Sequence, residues 1–159
     1  MTHPDSLEVH VDIAEQFPVV SPHSTEDARE LFRRVAVSVG VNNTDDHLRN
    51  HGFLRRRGGW ALSPAFDINP HPDSKARQTS IAGSDDVGTA ADGLRELAGA
   101  CRLSADHMRD ELRRVEDALR TWREIAARNG VTRPALSRFQ DAFGAGLDAV
   151  QSASRSVPR

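Results

Sequence analysis

The chain has 159 residues, enough for one domain with a core of its own and too few for two ordinary domains. With 21 basic against 23 acidic residues and a formal net charge of −2, it lacks the basic field that gathers nucleic acid or an anionic membrane, so neither is an expected partner. A single cysteine, Cys101, leaves no internal disulfide, and no apolar stretch approaches the ~18 residues of a membrane span, which points to a cytoplasmic protein.

Residues 1–24 read as an N-terminal extension. MTHPDSLEVHVDIAEQ carries histidine and acid where an export signal needs a basic start and an apolar run. The alternation Leu7, Val9, Val11, Ile13 within it suits either a strand or an apolar tether. From Ser24 the period changes. Ser24 is a candidate N-cap with Glu26 and Asp27 in the first turn, and Ala28, Leu31, Phe32, Val35, Ala36 and Val39 recur at helical spacing. Such a helix has one buried face and anchors the segment beyond Gly40.

That segment is VNNTDDHLRNHGF, Val41 to Phe53, with two carboxylates, two histidines and three asparagines in thirteen residues. Asn42-Asn43 suits a helix exit that tolerates left-handed backbone. Phe53–Arg57 and Trp60–Phe66 flank Gly58-Gly59 and predict a tight hairpin, with Pro64 weakening its second strand. Residues 69–88 are dense in Pro, Ser, Asp and Gly and read as an irregular loop. Three helical stretches close the chain: Thr89–Cys101, Ser104–Arg128 and Thr132–Gln151.

In the second of these, Met108, Leu112, Val115, Leu119, Trp122 and Ile125 form the apolar stripe, Ser104 caps the start and Gly130 lies past the end. In the third, Leu136, Phe139, Phe143 and Leu147 form it. Cys101 falls in phase with Leu94, Leu97 and Ala98 and is expected to be buried and inert. Trp60 and Trp122 are assigned to the core, Arg55-Arg56-Arg57 to a solvated strand end, and residues 151–159 to a flexible tail.

A helix, a short polar loop and a tight hairpin ending in Phe66-Asp67-Ile68 resemble the catalytic half of a protein kinase. The wording is narrower than that. Asn-Thr-Asp-Asp-His-Leu-Arg-Asn-His-Gly-Phe-Leu, followed by Gly-Trp-Ala-Leu-Ser-Pro-Ala-Phe-Asp-Ile-Asn-Pro, resembles the HipA family of bacterial serine/threonine kinases, often the toxins of toxin–antitoxin pairs. The resemblance spans roughly Glu30 to Phe143 and is strong from Asn42 to Pro70. It implies a mainly α fold with a small β-hairpin, the C-terminal lobe of a protein-kinase-like fold over residues 25–150. Carried over by position, it implies Asp45 as catalytic base, Asn50 and Asp67 as ligands of Mg2+ on ATP, and a protein hydroxyl as acceptor.

These roles suit the residue types. Magnesium takes hard oxygen ligands, which an amide and a carboxylate supply together with nucleotide phosphates. A base must face the acceptor hydroxyl, clear of the cation. The bland reading is that Asp45, Asp46 and the asparagines are turn formers, and that His47 ties the loop to neighbouring carbonyls. His47 and His51, four apart beside Asp45, also suggest zinc, but a third ligand of proper spacing is missing. No glycine-rich phosphate loop or lysine precedes Asn42, and the sole lysine, Lys75, follows Asp67. The expected partners are therefore a separate nucleotide-gripping lobe or an antitoxin, besides the protein substrate. The alternative is a non-catalytic interaction module that binds a kinase, an antitoxin or a substrate.

Overall fold

A computed structural model of the chain describes residues 9–72 and 89–155. Among them are six helices and one antiparallel hairpin: α1 (Val9–Val20), α2 (Ser24–Gly40), β1 (Phe53–Arg56), β2 (Gly59–Leu62), α3 (Ala90–Ala100), α4 (Ala105–Arg120), α5 (Trp122–Arg128) and α6 (Arg133–Arg155). A single 3-10 turn, Leu48–Asn50, stands between α2 and the hairpin. The mainly helical architecture with one small hairpin is the one the sequence implies.

Helix α2 is the hub. It packs against α1, α3, α4 and α6, and every apolar position expected on its inner face, from Ala28 to Val39, is buried. Its N-cap is His23 rather than Ser24, and no side chain caps it. It ends where the asparagines predict. The Asn43 N–H donates to the Ser38 carbonyl and the Asn42 N–H to Val39, with Asn42 in left-handed backbone at φ 55°, which closes the helix by a Schellman motif. Helix α3 stops the same way at Arg102, and α5 at Gly130.

Residues 9–20 are neither strand nor tether but helix α1, which buries His10, Ile13, Ala14 and Phe17. Those positions are spaced as one helical stripe, and a histidine among them hides it from a hydropathy reading. The expected middle helix breaks at Thr121 into α4 and α5. Met108, Leu112 and Val115 are buried, Leu119 and Trp122 half-buried and Ile125 exposed, so the stripe leaves the core as the chain turns. Ser104 caps α4 as expected, accepting from the His107 N–H at 3.2 Å.

Helix α6 buries Phe143 as expected, together with a face of mostly small residues, Ala142, Gly146, Ala149, Val150 and Ala153, while Leu136, Phe139 and Leu147 are only half-buried. It continues through Arg155, beyond the expected start of a flexible tail. Trp122 stacks on Phe143 with centroids 4.2 Å apart. Trp60 is not core: at 44% exposed it lies in the reach of Arg55, which sits 5.6 Å over its ring. Cys101 is buried, and burial pushes its thiol up to about 12. No helix among the described residues is long and apolar enough to cross a membrane.

Candidate functional site

Three tethers set the polar segment between α2 and the hairpin. The Schellman stop turns the chain out of α2. The Asn42 side chain donates to the His71 carbonyl at 2.9 Å while the His71 N–H donates back to the Asn42 carbonyl at 3.1 Å, which brings the segment after Asp67 against the end of α2. Arg34, buried on α2, donates to Glu30 at 2.9 Å and to the Ser63 carbonyl at 2.6 Å, fixing the strand end that leads to Asp67.

The hairpin itself is one residue out of the expected register. Phe53 pairs with Leu62 and Arg56 with Gly59, so the turn residues are Arg57 and Gly58, and Gly58 takes the positive φ of 92°. Strand β2 stops at Leu62, just before Pro64. The arginines 55–57 are exposed, as a strand end requires.

Asn50 lies at the meeting point of these tethers. Its amide nitrogen is 3.1 Å from the Asp67 carboxylate, 3.4 Å from the Asp45 carbonyl and 3.5 Å from the Asp67 carbonyl. Asn50 is buried, and the side chains of 50 and 67 are in direct contact. Asp67 holds left-handed backbone at φ 58°, a conformation non-glycine residues rarely adopt, and its second carboxylate oxygen accepts from Asn69 at 2.6 Å. The Asp45 side chain is 58% exposed and stands 3.7 Å from His47 Nε2. It joins the cluster through its backbone, with its carboxylate directed to solvent.

A second polar group lies beside the first. Asp46 is 6% exposed, and its carboxylate is 3.0 Å from His51 Nε2 on one oxygen and 3.5 Å from His10 Nε2 on the other. The two imidazoles meet edge to face with centroids 5.0 Å apart. Burial alone pushes the Asp46 carboxyl up. Polar contact and charge from His10 and His51 outweigh it and hold the group well below the usual carboxylate range. Loop anchoring therefore belongs to Asp46, His51 and His10. His47 contacts the Asp45 carboxylate and Arg49 instead of a carbonyl.

The resemblance carried by the sequence motif singles out Asp45, Asn50 and Asp67 and passes over Asn69 and His10. Asn69 carries a local signal, two residues from an aspartate. His10 carries none, because only folding brings α1 to the loop.

Chemically, the first cluster presents an exposed carboxylate, a buried amide and a second carboxylate at one edge of the molecule, all oxygen-bearing groups suited to a hard cation and a proton acceptor. The family described as HipA-like C-terminal domain matches residues 3–122. No curated protein and no solved structure matches the chain.

Proposed function

The chain belongs to the HipA-like C-terminal domain family, and on that premise we propose that it serves as the C-terminal lobe of a serine/threonine kinase, transferring a phosphoryl group from Mg–ATP to a protein hydroxyl. The observation that carries this reading is the contact of Asn50 with the Asp67 carboxylate at 3.1 Å and with the Asp45 carbonyl at 3.4 Å, across seventeen and five residues of chain.

The donor set fits magnesium: one carboxylate and one amide in mutual contact, leaving positions for water and phosphate oxygens. Asn50 turns its NH2 toward Asp67, so offering its oxygen to a cation takes a half-turn of the amide about its terminal bond. Asn50 and Asp67 would hold the ion, with Asn69 steadying Asp67. Bound there, magnesium neutralises charge developing on the phosphates. Asp45, with its carboxylate in solvent and clear of that pair, would orient the acceptor hydroxyl and take its proton, a role worth about 10²- to 10⁴-fold in rate. His47 beside it helps fix its direction.

The alternative reading is an interaction module that binds a kinase, an antitoxin or a substrate. The partners under the first reading are a nucleotide-gripping lobe, an antitoxin and a protein acceptor, met in the cytoplasm.

Calorimetric titration of magnesium and ATP into the protein separates the two. The expected dissociation constant for the isolated chain is no tighter than about 1 mM, since no phosphate-cradling loop accompanies Asn50 and Asp67 among the described residues, and the magnesium-dependent part of the heat disappears in Asp67→Ala. Identical titrations for wild type and Asp67→Ala would refute the metal assignment. Phosphoryl transfer lost on Asp45→Asn would refute the interaction-module reading.

A further inference from the structure

His10, Asp46 and His51 are buried together, at 0%, 6% and 8% exposure, and one ligand atom from each lies within 4.8 Å of the others. We propose that they bind one divalent first-row transition-metal ion, zinc being the expected occupant. The three residues are distinct from Asp45, Asn50 and Asp67, so the proposal stands independently of the phosphotransferase reading.

Three observations support it. The separations of the Asp46 oxygens from His51 and His10 are 3.0 and 3.5 Å. They are measured from the two different oxygens of the carboxylate, and each lies near the ligand–ligand edge of about 3.3 Å set by bonds of about 2.0–2.1 Å, so small side-chain shifts bring the three groups onto one ion. His10 is wholly buried, yet neither of its ring nitrogens has a hydrogen-bond partner, and Nε2 points at the carboxylate; His51 Nδ1 is likewise unpartnered. His51 Nε2 is hydrogen-bonded to Asp46. But buried polar atoms are nearly always satisfied, so a wholly buried imidazole with both nitrogens unpartnered, one of them 3.5 Å from a carboxylate, indicates a missing electrophile.

The donor chemistry sets the class of ion. Two imidazoles and one carboxylate suit zinc and its neighbours, whereas magnesium and calcium take oxygen ligands. A four-coordinate ion held by three protein ligands keeps one position for a small non-protein ligand. The ligands come from the first turn of α1, from the loop beside Asp45 and from the residue after the 3-10 turn. One ion would therefore staple α1 to the segment that carries Asp45 and Asn50, supplying from α1 the third ligand that the local sequence lacks.

Cobalt is the spectroscopic probe. Titration of Co2+ into the full chain stripped by chelator is expected to develop a visible d–d band saturating at one equivalent, displaced by one equivalent of Zn2+. His10→Phe keeps a ring in the buried space and removes the ligand. It should weaken binding at least about 100-fold, the upper end of the loss in metal affinity when a supporting residue is removed. His10→Cys, which restores a zinc ligand, should recover tight binding. His107→Ala, on the exposed start of α4, should bind as wild type. Wild-type protein that takes up no stoichiometric Co2+ or Zn2+ overturns the proposal. So does a helical His10→Phe protein, by circular dichroism, that binds as tightly as wild type.

Discussion

The side chain of Asp45 is 58% exposed, while that of Asp46, one residue on, is 8% exposed and contacts two imidazoles. Adjacent carboxylates thus divide the loop, one facing solvent and one holding the loop to α1. Asp46→Asn removes the charge that His10 and His51 surround and should cost roughly 3 kcal/mol at neutral pH, measured by urea denaturation in chelator. The sign of its pH dependence follows from a folded-state pKa below the unfolded one. The contribution is fully present above the unfolded carboxylate value of about 4 and is lost as pH falls below it toward the folded value. Stability measured from about pH 6 downward should fall more steeply for wild type than for Asp46→Asn below about pH 4. Equal slopes would mean that Asp46 is not ion-paired. The family resemblance made Asp45, Asn50 and Asp67 legible because the polar loop and its hairpin are local in the chain; His10 is thirty-six residues from Asp46 and was not.

Helix α6 crosses the end of α2 at backbone contact. A Cβ on Gly146 would lie 2.5 Å from the backbone oxygens of both Gly40 and Val39, atoms that cannot yield without moving a helix. Gly146→Ala should therefore destabilise by about 2–3 kcal/mol, the usual range for overpacking. Gly144, two residues earlier on the same helix, has nothing within 4 Å, and Gly144→Ala should instead stabilise by about 0.5–1 kcal/mol through helix propensity. Thermal melts of the two variants should move in opposite directions. A shared direction would place the helix crossing elsewhere. The sequence located α6 and, of its buried face, only Phe143, because small residues chosen for close approach carry little hydropathy. The same weakness hid α1, whose stripe includes a histidine.

At the scale of the molecule, α2 carries the core, and Phe32 on it is wholly buried among residues from the surrounding helices. Phe32→Ala should cost about 3–5 kcal/mol, a large part of the roughly 5–15 kcal/mol typical of a domain. A single cooperative urea transition shifted to lower concentration is the expected readout; unfolding in two separate steps would contradict one shared core. By itself the sequence determined the helical class, the hairpin, the stop of α2 at the asparagines and the spacing of Asp45, Asn50 and Asp67, since periodicity, turn chemistry and short motifs act within a few residues. Only the tertiary structure decided which face of α6 is inside, that residues 9–20 form a helix against α2, and that His10 closes on Asp46 and His51. Those outcomes depend on contacts between segments far apart in the chain, where local propensity is silent and packing chooses.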